Sequence, residues 1–196
     1  MKPTYSGFEA KKTGNFAQLP PPGAYVAEIR GVKTEESYDK SREQIVLMLE
    51  ITEGEYAGRY MQVFEEQKNS FGGNVKYRGT LRLTPYMEGD STWVKSRFEG
   101  NLWCIEQSNP GYQWDWDENK LNGKKVGINV RKNIYTGKDG NDRETTEIAQ
   151  LETVDDVRNG KCRMLKDRIS KKVSDTYSAD GENVPLNVSG SVEVPF

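Results

Sequence analysis

The chain has 196 residues, of which 34% are hydrophobic and 30% charged, with a net charge of −2 and no histidine. That length favours one domain with tails over two, and the apolar content supports one packed core that leaves some residues outside it. Without histidine there can be no Ser-His-Asp or Cys-His triad, no HExxH zinc site and no usual zinc-finger ligand set.

Neither GxxxxGKS/T nor GxGxxG occurs, so the common phosphate-cradling loops are missing as well. The longest uninterrupted apolar run is Ile45 to Leu49, too short to span a membrane. The beginning of the chain reads without the apolar stretch of a signal peptide. Two cysteines, Cys104 and Cys162, form no framework and suit a reducing cytoplasm.

Residues 1–22 read as a flexible arm with Lys2, Lys11 and Lys12, ending in the stiff Leu19-Pro20-Pro21-Pro22-Gly23. From Gly23 the pattern has period two, with Tyr25, Ala27 and Ile29 on one face and Glu28 and Arg30 on the other. Lys33 to Glu43 reads as a charged connection. A second strand follows from Gln44 to Thr52, with Ile45, Leu47, Leu49 and Ile51 on one face and Val46 and Met48 on the other. Glu53 to Arg59 carries two glycines and predicts a turn into a third strand, Tyr60 to Phe64. Glu65 to Tyr77 is polar and Gly-rich and predicts neither helix nor strand.

Val94, Phe98, Leu102 and Ile105 recur at helical spacing and predict a helix from Ser91 to Glu106, capped by Asp90 or Ser91 and ended by Asn109-Pro110-Gly111. Gly100 weakens that helix without reversing it. The tryptophans at 93, 103, 114 and 116 read mostly as packing. Val126, Ile128 and Val130 mark a fourth strand. Tyr135 to Asn141 marks a hairpin loop, Arg143 to Leu151 a fifth strand, and Val154 to Asn159 one helical turn. After Lys172 there is no Lys or Arg, while Asp175, Asp180, Glu182 and Glu193 remain. Residues 174–196 therefore carry −4 against +2 for the rest, and their composition predicts a flexible acidic tail.

This order predicts a mainly β domain over 23–173, an OB-fold-like five-stranded barrel with one helix between strands three and four. A generic β-sandwich or α+β sheet fits the pattern equally well. An OB-fold binds through strands two and three and the loops joining strands one to two and four to five. The first loop offers Lys33, Tyr38, Lys40 and Arg42, strand three Tyr60 and Phe64, and the second loop Arg131, Lys132, Tyr135, Lys138 and Arg143. Aromatic faces that stack on unpaired bases and cations that track phosphates are what a single-strand groove needs. Tyr60 and Phe64 read as core more than as platform, since strand aromatics are usually buried, and Tyr135 is the best stacking candidate. The acidic run Asp115, Asp117 and Glu118 lacks the further paired acids that a metal-dependent nuclease requires, so neither a metal, a cofactor nor a catalytic residue is expected.

The chain stops at Glu193-Val194-Pro195-Phe196, where a ring and a carboxylate lie together. This ending resembles the tail of bacterial single-stranded DNA-binding proteins, which end in acidic residues followed by Pro-Phe. In the body, Leu49 to Arg59, Leu121 to Val126 and Tyr135 to Gly140 resemble, in the same order, segments of a phage-encoded single-stranded DNA-binding family. The resemblance covers roughly residues 19–160 as short matches. It implies an OB-fold protein that protects single-stranded DNA in phage replication or recombination, in the host cytoplasm. Its partners would be single-stranded DNA and, through the C-terminal tip, replication or recombination enzymes, with no membrane and with homo-oligomer formation left open. The rival readings are a phage structural or assembly protein with a β-rich domain and, below it, a metal-dependent nuclease.

Overall fold

In a computed structural model of the chain the described residues are 17–37, 40–71, 75–137 and 139–170. β1 (Gly23–Glu36) and β2 (Glu43–Ile51) pair antiparallel. Their alternating apolar residues, Ala27 and Ile29 against Ile45, Leu47, Leu49 and Ile51, are buried in one core. β1 outlasts its predicted end and runs to Glu36, which makes Lys33 a strand residue and not a loop residue.

The expected third strand at Tyr60 to Phe64 is a helix, α1 (Arg59–Phe71), which also takes in Glu65 to Phe71 from the stretch expected to be irregular. Tyr60, Val63 and Phe64 fit the 3.6-residue period as well as Tyr60, Gln62 and Phe64 fit period two. The decision is tertiary. The buried Glu50 carboxylate accepts the backbone N–H groups of Tyr60 at 3.1 Å and Met61 at 2.6 Å. These belong to the donors that the first turn of a helix leaves unpaired, where a negative charge also opposes the helix dipole favourably. The same carboxylate accepts the Ile51 N–H and the Tyr77 hydroxyl, each at 3.0 Å.

The third strand is β3 (Thr80–Leu83), on the outer edge of β2. It begins beside Gly79, where an added Cβ would lie 2.3 Å from the Leu49 carbonyl oxygen and 2.9 Å from the Tyr60 and Tyr77 rings. No side chain fits there.

α2 (Thr92–Ser108) buries Phe98, Leu102 and Ile105 as its spacing predicts. Ser91 holds the extended N-cap conformation, but its side chain makes no capping hydrogen bond. Asn109 ends the helix and ties it to the next strand. Its amide donates to the carbonyls of Ile105 and Lys125, and its side-chain oxygen accepts the Lys125 N–H. β4 (Lys125–Thr136) and β5 (Asp142–Glu152) form the antiparallel hairpin, and α3 (Val154–Arg158) starts from the Thr153 cap. β6 (Arg168–Ser170), which periodicity does not announce in three residues, pairs parallel with the outer half of β4.

The sheet runs β3-β2-β1-β4-β5, with β6 on β4 off this path. The fold is mainly β, but with six strands among the described residues, in a mixed, open sheet, in place of five in a barrel. β3 and β5, the two ends of the path, approach each other without sharing a ladder. Residues 17–22 lie against the domain: the Ala17 N–H donates to Glu66, and Leu19 packs on the core. The rest of the predicted arm and the acidic tail, with the tip Glu193, Val194, Pro195 and Phe196, fall outside the described residues. No helix among the described residues is long and apolar enough to cross a membrane.

Candidate nucleic-acid interface

A cleft of about 950 Å³ opens where the two ends of the sheet face each other. One wall is β3 with the extended segment before it, which contributes Lys76, Tyr77, Arg78, Thr80 and Arg82, with Phe64 of α1 alongside. The other wall is the β4–β5 hairpin with β6, contributing Arg131, Asn133, Thr145, Glu147 and Arg168. Between them in the sheet path lie Lys33, Glu35, Val46 and Met48 of β1 and β2, and Arg97 of α2 closes one end. Among the described residues seven lining side chains are basic and two, Glu35 and Glu147, are acidic. In a chain of net charge −2 this concentrates positive potential in a concave surface.

The two acids are placed to organise cations. Arg131 approaches Glu147 at 2.7 Å and Arg168 reaches it at 3.4 Å, while Lys33 and Arg82 both pair with Glu35. The Glu35 carboxyl is held below its ordinary range, chiefly by its hydrogen bond to Lys33. Lys76 and Arg78 pair with no acid among the described residues. Tyr77 sits between these two cations, its hydroxyl bonded to the Leu49 carbonyl at 2.8 Å and to Glu50. Burial, reinforced by the Glu50 charge, drives its phenol well above the ordinary range, so it stays a neutral ring and donor. Its ring packs edge-on against Phe64, the centroids 5.9 Å apart.

Of the residues the sequence singled out, the cleft gathers Lys33, Phe64 and Arg131. Tyr60 is core, 2% exposed: as the second residue of α1 it points into the core against the sheet and not onto a binding face. Arg42 is engaged by Asp90 through two hydrogen bonds, 2.7 and 3.1 Å, and holds that carboxyl below its ordinary range. Lys40 is exposed in the β1–β2 connection and lines none of the cleft. Tyr135 is not in a loop: β4 extends past it, in register with Arg143. Both share the sheet face of the Arg131–Glu147 and Asn133–Thr145 pairs, farther out along the hairpin. Lys132 points to the opposite face and pairs with Glu144 at 3.1 Å, and Arg143 pairs with Asp139 at 2.9 Å. Tyr38 and Lys138 fall outside the described residues.

The reading missed Lys76, Arg78, Arg82, Arg97, Arg168 and Tyr77. A signal for three of these positions existed. Lys76, Arg78, Thr80 and Arg82 recur at period two, the spacing that places side chains on one face of an extended chain. The tryptophan reading fails for two of the four: Trp93 and Trp103 are exposed on α2, whereas Trp114 packs against the core and Trp116, though largely exposed, stacks on Phe98 with the centroids 6.0 Å apart.

Elsewhere the chemistry is quiet. The thiols of Cys104 and Cys162 are pushed up to about 11, mainly by burial, and stay protonated near neutral pH. Asp115 is ion-paired with Lys120, and no group of three or more potential metal ligands occurs among the described residues. Leu49 to Arg59 carries Glu50 and the turn into α1, and Leu121 to Val126 leads into β4. Neither the protein-family models nor the curated proteins contain a match to this chain.

Proposed function

We propose that this chain is a sequence-tolerant single-stranded DNA-binding protein with an open OB-type core, which does no chemistry of its own. The observation that carries the reading is the cleft: seven basic side chains against two acidic ones, beside the rings of Phe64 and Tyr77, in a chain that is otherwise net acidic. Cations that follow phosphates, with aromatic surface alongside, match the needs of an unpaired strand. The sheet path supports the OB-type reading, because β1 pairs with both β2 and β4 and the path ends near its own beginning, as in a partly open five-stranded barrel. β6 is then an addition on the cleft wall.

The wider role belongs to the same proposal. The short resemblances and the acidic tail ending in Pro195-Phe196 support service in phage replication or recombination in the host cytoplasm, with the tip recruiting partner enzymes. The deciding experiment titrates fluorescent oligo-dT and a duplex of equal length at two salt concentrations. Binding should favour the single strand and fall steeply as salt rises. Equal affinity for both forms, or no binding at about 50 mM salt, would overturn the reading.

A further inference from the structure

We propose that the bound strand continues beyond the cleft over the outward face of α2, where Trp93 and Trp103 stack two of its bases. This rests on the reading of the cleft as a single-strand groove and extends its path.

Two large rings on one helix are left in water, Trp93 at 66% and Trp103 at 53% exposure. Ten residues of helix set them about 15 Å apart along the axis, so they would meet different bases of one strand. Between them lies a hollow of about 440 Å³, continuous with the cleft: Arg97, Arg131 and Ala149 line both. Among the described residues no Asp or Glu lines the hollow, so the charge they give it complements a polyanion and not a basic partner. Arg97 stands at the junction. Its guanidinium lies 5.3 Å over the Trp93 ring and donates to the Ala149 carbonyl at 3.2 Å, which holds a cation at the mouth of the hollow.

Gly100, which lines this hollow, is an independent pointer. A glycine inside a helix weakens it relative to alanine, and glycines kept there usually let something pack closely. Among the described residues nothing does, since an added Cβ at Gly100 would meet no atom within 4 Å beyond its own stretch of helix. Its bareness is of no use to the fold and keeps the floor between the two rings open to a flat ligand.

The test uses the full chain, the double variant Trp93→Ala/Trp103→Ala and the variant Gly100→Leu, with oligo-dT of about 6 and about 30 nucleotides, lengths that bracket the span of one OB-type domain. All three proteins should bind the short oligomer alike. On the long one the double variant should lose at least about fivefold in affinity, together with most of the tryptophan quenching seen in the wild type. Gly100→Leu should bind the long oligomer more weakly while melting at an equal or higher temperature, which a purely structural role would not produce. Equal affinity of wild type and double variant for the long oligomer overturns the proposal. So does sedimentation showing that the wild type self-associates through these rings and the double variant does not. If the wild type binds neither oligomer, the groove reading itself falls. If it binds both and the variants match it, only the extended path falls.

Discussion

Arg131 and Arg168 on the β4–β6 wall of the cleft share one carboxylate, Glu147, whereas Lys76 and Arg78 on the wall before β3 meet no acid among the described residues. The difference separates two jobs that basic residues can do in a groove. A cation already paired is held in place, but a phosphate must compete with its carboxylate, and such half-exposed pairs contribute little stability on their own. An unpaired cation gives its full charge to counterion release when a phosphate arrives. Affinity should therefore concentrate on the Lys76–Arg78 wall, while the paired wall sets the geometry of the strand's path.

The largest effect should come from the group that builds the unpaired wall. Glu50 holds the start of α1 and the Tyr77 hydroxyl at once. Glu50→Ala takes this acceptor from the N–H groups of Ile51, Tyr60 and Met61 and leaves the Tyr77 hydroxyl only the Leu49 carbonyl, a loss of about 3 kcal/mol. Urea unfolding should show it as a lower midpoint at unchanged slope, while Glu35→Ala in the open cleft should barely move the midpoint. A midpoint for Glu50→Ala within error of wild type would show that α1 and Tyr77 hold without it.

Next in size is the contrast itself. Reversal of both Lys76 and Arg78 to Glu should cost about a hundredfold in oligo-dT affinity at low salt and lower the salt slope by about two. Replacement of both Arg131 and Arg168 by Gln should cost about tenfold or less, because each gives up a charge that Glu147 already opposes. Equal losses would erase the distinction between the walls.

Arg42 extends the same logic to a residue outside the cleft. Its charge is committed to Asp90, so Arg42→Gln should leave oligo-dT affinity nearly unchanged and act on stability instead. The Asp90 carboxyl is held below its ordinary range, first by Arg42 and then by the Met87 N–H. A carboxyl with a lowered folded pKa stabilises at pH values above its unfolded value near 3.9, and this contribution is lost as pH falls through the folded value. Asp90→Asn should therefore lower the melting temperature near neutral pH and show a smaller further drop on moving to about pH 3. Parallel pH profiles for the two proteins would mean that the pair contributes nothing to folding.

Much of this arrangement was legible in the sequence. Period two found β1, β2 and β4, and the 3.6-residue period found α2, because each of these elements has a face in the core, while β5 was legible from the hairpin loop before it. α1 escaped because its start is fixed by Glu50, ten residues upstream of Tyr60, and a buried carboxylate leaves no periodic trace. β3 has four residues and β6 three, too few to establish a period. The cleft was half legible for the same reason. Cations were sought in the two loops that an OB-fold uses, whereas most sit on strands, on α2, and on the irregular segment that carries Lys76 and Arg78. Arg42, in the β1–β2 connection, and Arg143, at the start of β5, have local acids, Asp90 and Asp139, and a charge count along the chain does not show which cations are already matched.

The smallest expected effect lies within one strand. Lys132 and Tyr135 occupy opposite faces of β4 because successive positions alternate across a strand. Tyr135 shares the face of Arg131 and Asn133, in register with Arg143 at the outer end of the hairpin, while Lys132 points away and is paired with Glu144. A strand lying along the cleft wall would reach Tyr135 only after passing Asn133. Tyr135→Leu should therefore leave binding of a short oligo-dT intact and weaken a long one about threefold, less than a full stacking contribution because the ring is half-buried. Lys132→Glu should alter neither beyond a small, salt-screened change. Affinity titrations of both variants decide the point. If Lys132→Glu weakens binding more than Tyr135→Leu does, the strand follows the outer face of the hairpin, and the cleft wall ends at Arg131.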